Sequence, residues 1–144
     1  MLSAEVHLFE GVGETLAKLS GENTLMLITK GDLLHQQAKV DRSGLKPFFQ
    51  YVEVVSEKSQ ETYTTIISKR SIHPSRFLMV GNSMRSDVLP VLRLGGWAVH
   101  IPALLSWSHE DVKTSDALGD RFFELESFAQ LPALLEDLRK GNRS

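Results

Sequence analysis

The sequence predicts an α/β protein: a three-layer, Rossmann-like fold in which one parallel sheet is flanked by helices. Three observations predict it. Short apolar runs recur along the chain, and they are continuous rather than alternating, which is typical of strands covered on both faces. The segments between them have the spacing of amphipathic helices. Their lengths suit the crossover helices of βαβ units.

Five apolar runs are the predicted strands. They lie at residues 25–28, 51–55, 77–80, 97–101 and 121–125. The last run has the fewest apolar residues of the five. Each run is four or five residues long, the ordinary length of a buried strand.

Five helices are predicted between and after these strands. They lie at residues 11–19, 32–42, 59–67, 86–94 and 127–139. Ser59 is a suitable N-cap for the third helix. Gly44 is positioned to end the second helix, and Gly95 with Gly96 to end the fourth.

Composition narrows the class of protein. The 144 residues are 42% hydrophobic and 24% charged, which excludes disorder and predicts one domain over residues 1–144. The absence of cysteine excludes disulfides and thiolate zinc sites. A net charge of -2 argues against a nucleic-acid partner. No apolar run reaches membrane-spanning length, and no signal-like start is present, so we expect no membrane association and a cytoplasmic location.

Polar residues follow three consecutive predicted strands. Thr29, Lys30 and Gly31 follow the first, Lys58 follows the second, and the segment 81–87 follows the third. Ligands of parallel α/β sheets bind beyond the carboxyl ends of the strands. A hydroxyl and backbone amides at such an edge can hold a phosphoryl oxygen, a lysine can neutralise its charge, and an aspartate can hold magnesium.

Each of these residues also has a structural explanation. Thr29 is β-branched and suits a strand end, and Lys58 taken alone resembles a solvated surface lysine. Asp87 suits the first turn of a helix, and Asn82 with Ser83 suits a turn. It is their joint placement after successive strands that favours a binding site.

Three segments of the chain resemble, in order, the second, third and fourth motifs of the haloacid dehalogenase superfamily. They are residues 27–32, 57–58 and 79–87, and the resemblance extends over roughly residues 8–102. It implies a magnesium-dependent phosphohydrolase that forms a phosphoaspartyl intermediate on a small phosphorylated metabolite. By this resemblance Thr29 and Lys58 are catalytic, and both bind the phosphate together with Lys30 and Gly31. Asp87 and Asn82 would hold Mg²⁺.

The sequence departs from the family pattern in two places. Asn82 stands where the fourth motif often has an acidic residue, so we expect weaker metal binding. The first motif, two aspartates separated by one residue, should precede Thr29, but the first aspartate of this sequence is Asp32. We therefore expect a core that is incomplete at its N-terminal side, without the nucleophile and cap, and with little or no turnover alone.

The second departure predicts a break in the sheet. In the family, the first-motif strand lies between the strand that ends near Thr29 and the one that ends at Gly81. Without it, two inner strand edges would be unpaired. We expect either that residues 6–9 fill the gap or that two chains form a homodimer through these edges.

Two other functions remain open on the sequence. One is a non-catalytic binding or assembly module, in which the phosphate-site residues have no role. The other is a phospho-receiver domain, which also combines threonine, lysine and carboxylates on a parallel sheet. Receivers place their acidic residues before the threonine and lysine, whereas Asp87 comes last here. The order therefore argues against a receiver.

Overall fold

A computed structural model describes residues 12–32, 34–35, 38, 41–42, 44, 46–102 and 119–141. Within these residues the fold is α/β, as predicted, and every strand pair is parallel. No helix in the described part of the chain is long and apolar enough to cross a membrane. Residues 6–9, which we considered as a filler of the sheet, lie outside the described residues.

The five predicted strands are all present, and they form two hydrogen-bonded ladders. The strands are β1 (Met26–Lys30), β2 (Tyr51–Val55), β3 (Leu78–Gly81), β4 (Trp97–His100) and β5 (Phe122–Glu124). One ladder has the order β1-β2 and the other has the order β3-β4-β5. Among the described strands, no ladder joins β1 to β3. The expected break therefore falls where the sequence places it.

The helices flank the sheet on both faces. They are α1 (Val12–Ser20), α2 (Gln60–Lys69), α3 (Leu89–Leu94) and α4 (Leu131–Gly141). Short 3₁₀ turns cover Lys46–Phe48, Pro74–Arg76 and Phe128–Gln130. Of the helix predicted at 32–42, Asp32 is described and is not helical, so the predicted start is too early. The residues Leu34, His35, Ala38, Asp41 and Arg42 are helical, and residues 33, 36–37 and 39–40 lie outside the described residues.

Two apolar clusters separate the layers. Alternate residues of β3 face opposite sides, so Met79 packs with the α2 side while Leu78 and Val80 pack with the α1 and α4 side. The second cluster includes Leu19 of α1 and Leu131 of α4. This arrangement confirms the predicted three layers.

Helix α2 connects the two ladders. Its predicted cap is present, because the Ser59 hydroxyl oxygen accepts a hydrogen bond from the Thr62 amide at 3.2 Å. Its buried face, Tyr63, Ile66 and Ile67, packs in one cluster with Ile28 of β1 and Met79 of β3. The ladders are thus held together by side-chain packing under α2.

The helix predicted at 86–94 starts earlier than the sequence indicates, and it starts in a different form. Residues Met84–Val88 form a π turn that leads directly into α3. The Ser83 hydroxyl accepts a hydrogen bond from the Ser86 amide at 3.0 Å and so caps this turn. The amide of Val88 bonds to the carbonyl of Ser83, five residues back, at 3.2 Å. The predicted end is correct, because Gly95 adopts φ 103°.

Candidate functional site

The buried carboxylate of Asp87 lies at the centre of the candidate site. Asp87 is only 2% exposed. Its Oδ1 lies 3.0 Å from the Lys58 ammonium, and its Oδ2 accepts a hydrogen bond from the Ser83 amide at 3.2 Å. Lys58 lies in the loop between β2 and α2, and Asp87 lies in the π turn after β3. The ion pair therefore crosses between the two ladders at the carboxyl ends of their strands.

Gly81 makes room for this carboxylate. A Cβ atom built on Gly81 would lie 2.2 Å from Asp87 Oδ2 and 2.4 Å from Asp87 Cγ. No side chain fits at that separation, so the glycine at the end of β3 allows Asp87 to pack directly against the backbone. The close approach fixes the orientation of the carboxylate toward Lys58 and Ser83.

Tyr63 contacts the same turn from α2. Its hydroxyl donates a hydrogen bond to the Ser86 carbonyl at 2.8 Å and lies 3.5 Å from Asp87 Oδ1. The side chain is fully buried. Burial raises the pKa of the Tyr63 phenol well above its usual value, and the negative charge of Asp87 raises it further. The hydroxyl therefore remains a donor throughout the physiological pH range.

Thr29, Lys30 and Gly31, the polar residues predicted to follow the first strand, lie at the carboxyl end of the β1-β2 ladder. Thr29 and Lys30 are the last two residues of β1, opposite Val54 and Val55, so the strand continues past the predicted end at Ile28. The extension has a plain cause, because the β-branched Thr29 suits an extended backbone. Gly31 prolongs the ladder, its amide donating to the Val55 carbonyl at 3.0 Å with φ 144°. Thr29 is half-buried, and Lys30 is exposed.

Asn82 is half-buried directly after β3, and a buried histidine contacts its backbone. His100 Nε2 lies 3.2 Å from the Asn82 carbonyl oxygen, and His100 Nδ1 lies 2.8 Å from Glu124 Oε2. His100 is 2% exposed. The three residues thus link the ends of β3, β4 and β5.

The oxygen donors in the described part fit a partial magnesium site. Asp87 supplies a carboxylate and Asn82 an amide oxygen, and magnesium commonly uses one or two carboxylates while retaining waters. Both oxygens of Asp87, however, are already engaged by Lys58 and Ser83. Within the described ranges, no three His, Asp or Glu side chains come together as a metal-binding group.

Of the predicted site residues, the structure brings Lys58 and Asp87 into direct contact, and it puts the others at the carboxyl edges of the two ladders. Sequence reasoning included Ser83 in the segment 81–87 but gave its amide no role, and it missed two contributors to the site. They are the Tyr63 hydroxyl and the His100 ring. A usable signal existed for Tyr63, a polar-tipped residue at the start of the buried face of α2. Histidine spacing carried no comparable signal for His100.

The Lys58–Asp87 pair lies at the carboxyl ends of parallel strands, where α/β sheets bind their ligands. Solved structures share this fold. A haloacid dehalogenase-like family hydrolase from Xanthomonas campestris is 37% identical, with a TM-score of 0.80, over 94% of this chain and 57% of that one. The chain belongs to the haloacid dehalogenase superfamily.

Two further structures share the fold. A HAD phosphatase from Thermococcus onnurineus is 21% identical with a TM-score of 0.70, over 93% of this chain and 62% of that one. A HAD-hydrolase from Bacillus subtilis, described as bound to magnesium, is 18% identical with a TM-score of 0.73, over 88% of this chain and 55% of that one. The chain therefore spans less than two thirds of the length of each of these three proteins. No family model and no curated protein matches the sequence.

Proposed function

We propose that this chain is the phosphate- and magnesium-binding part of a haloacid dehalogenase-type phosphohydrolase that acts on a small phosphorylated metabolite. The observation that carries the proposal is the ion pair between Lys58 and Asp87 at the carboxyl ends of parallel strands. A solved relative of the same fold is described as a HAD phosphatase, which favours phosphate esters as the substrate class.

The proposed roles follow from the chemistry of each group. The Thr29 hydroxyl and the backbone amides of Lys30 and Gly31 bind phosphoryl oxygens, and Lys58 neutralises their charge. Lys58 is held in place by Asp87, and 21% of its side chain remains exposed. Asp87 and Asn82 would hold Mg²⁺, which would supply further positive charge to the site. A solved structure of the same fold is described as bound to magnesium, which favours this metal.

We further propose that the chain alone has little or no turnover. Hydrolysis through a covalent intermediate needs a carboxylate nucleophile and a proton donor. The sequence has no pair of aspartates separated by one residue before Thr29, and its first aspartate is Asp32. The chain should therefore bind phosphate without releasing it from an ester.

Phosphatase activity on an aryl phosphate, with and without magnesium, tests the catalytic half of the proposal. The assay compares the wild-type chain with Asp87→Asn. We expect no turnover in either protein. Turnover that requires both magnesium and Asp87 would overturn the expected inactivity, because some other carboxylate, in this chain or in a second copy, would then act as the nucleophile.

Titration with inorganic phosphate, followed by NMR, tests the binding half. We expect the wild-type chain to bind and Lys58→Met to lose most of that affinity, whereas Lys140→Met should bind normally. Lys140 is a suitable control because its ion pair with Glu136 is exposed on α4. Absence of phosphate binding by the wild-type chain would refute the proposed site and favour a non-catalytic assembly module.

A homodimer, one of the two ways in which we expect the break in the sheet to be closed, is also part of this proposal. The two ladders lack a shared strand among the described residues, and exposed strand edges pair readily with a second chain. Light scattering after size-exclusion chromatography measures the mass directly. A compact monomer would rule out the dimer.

A further inference from the structure

The Tyr63 hydroxyl has no assigned role in the proposed phosphate site, although it is fully buried and lies between α2 and the turn that carries Asp87. Its hydrogen-bond partner is the Ser86 carbonyl, which precedes Asp87 in the chain. The same hydroxyl lies 3.5 Å from Asp87 Oδ1, the oxygen that pairs with Lys58. Tyr63 on α2 thus holds the backbone next to the Asp87 carboxylate.

The sequence removes one possible helical donor to the Ser86 carbonyl. In an α-helix this carbonyl would accept a hydrogen bond from the amide four residues later. That residue is Pro90, which has no N–H. The buried Tyr63 O–H donates to this half-buried carbonyl at 2.8 Å from outside the helix. The contact therefore stabilises the π turn in its observed form.

We propose that Tyr63 is a positioning residue, whose hydroxyl holds the π turn Met84–Val88 so that Asp87 faces Lys58 and keeps the ammonium directed toward bound phosphate. This inference rests on the proposed phosphate site. It goes beyond that site because Tyr63 itself touches neither phosphate nor metal. Its effect passes through Ser86 and Asp87 to Lys58.

The substitution Tyr63→Phe removes the hydroxyl alone. The ring remains to pack beside Phe77, whose centroid lies 6.3 Å away. The chain offers a matched control, because its only other tyrosine is Tyr51. The Tyr51 ring lies under the Arg70 guanidinium at 3.8 Å, on β2 and away from the π turn. Tyr51→Phe therefore makes the same chemical change without affecting Asp87.

Affinity for inorganic phosphate, measured by NMR titration, is the first readout. We expect Tyr63→Phe to weaken binding about fivefold, the effect of losing one ordinary hydrogen bond, and Tyr51→Phe to change it less than about twofold. The ¹³Cγ resonance of Asp87 and the ¹⁵Nζ resonance of Lys58 are the second readout. We expect both to shift in Tyr63→Phe and to remain in place in Tyr51→Phe.

The two readouts separate this inference from the proposed function. If the wild-type chain binds no phosphate, the proposed site fails, and the Asp87 and Lys58 resonances still test whether Tyr63 positions them. Unchanged resonances and unchanged affinity in a folded Tyr63→Phe would overturn the inference.

A measurement on the wild-type chain keeps the inference testable if that variant does not fold. In a mixture of H₂O and D₂O, a hydroxyl proton held in a buried hydrogen bond exchanges slowly enough to split the ¹³Cζ resonance of its tyrosine. We expect a split resonance for Tyr63 and a single one for Tyr51. A single resonance for Tyr63 would show that the hydroxyl does not hold the turn.

Discussion

Replacing Lys58 by methionine tests the central contact of the site. The change keeps an unbranched side chain of similar length and removes only the ammonium. Lys58 Nζ lies 3.0 Å from Asp87 Oδ1, and 3% of the Asp87 side chain is exposed. The variant would leave a buried carboxylate with the Ser83 amide and the distant Tyr63 hydroxyl as its remaining partners.

The expected loss of stability lies between two limits. Removing one partner of a fully buried ion pair costs about 3–5 kcal/mol, whereas an exposed pair contributes about 0.2–1 kcal/mol. The Lys58 side chain is 21% exposed, so water partly screens the pair. The Ser83 amide also continues to stabilise the charge. We therefore expect Lys58→Met to lower the free energy of unfolding by about 2 kcal/mol.

Urea denaturation at neutral pH measures this loss, with Lys140→Met as the control. Lys140 pairs with Glu136 at 3.3 Å, with about two thirds of each side chain exposed, so its loss should change stability by less than about 0.5 kcal/mol. Adding Asp87→Asn to Lys58→Met should recover part of the loss, because the unpaired charge disappears. A Lys58→Met variant as stable as Lys140→Met would refute the reasoning.

Two further variants test other contacts. Gly81→Ala forces a Cβ atom against the Asp87 carboxylate and should cost about 2–3 kcal/mol in urea denaturation, whereas Gly13→Ala, which meets no atom within 4 Å, should not destabilise α1. Burial raises the pKa of the Glu53 carboxyl, but hydrogen bonds from Arg70 and Lys69 outweigh this effect and hold the pKa below its usual value. The stability that Glu53 contributes is therefore present at neutral pH and is lost as the pH falls through this lowered pKa. In thermal unfolding, the wild type should have a higher Tm than Glu53→Gln at pH 7, and this difference should shrink in acid. A difference in Tm that does not depend on pH would contradict this prediction.

The sequence predicted the strands well because each is a short apolar run between polar turns. Residues 51–55 were predicted without error, and the other strands shifted by one or two residues at their ends. The N-cap at Ser59 and the helix end at Gly95 were also predicted, since both depend on local chemistry. Local signals of this kind need no knowledge of the rest of the fold.

Local sequence signals could not predict the π turn or its contacts. Periodicity places the helix start near Asp87, but the turn begins at the Ser83 cap, and the Ser86 carbonyl accepts a hydrogen bond from Tyr63, 23 residues before Ser86. The bond between Glu124 and His100 likewise joins residues 24 positions apart. Only the packed structure reveals which distant side chain satisfies a given backbone group.

Helix packing explains how the candidate site stays together although the sheet is divided into two ladders. Lys58 and Asp87 belong to different ladders, and no strand pairing joins those ladders among the described residues. Their contact depends instead on α2, which buries Ile66 and Ile67 between Ile28 and Met79. Helix packing tolerates the break because dispersion and burial do not require continuous backbone hydrogen bonds. The contact between Lys58 and Asp87 is therefore maintained by helix packing and not by strand pairing.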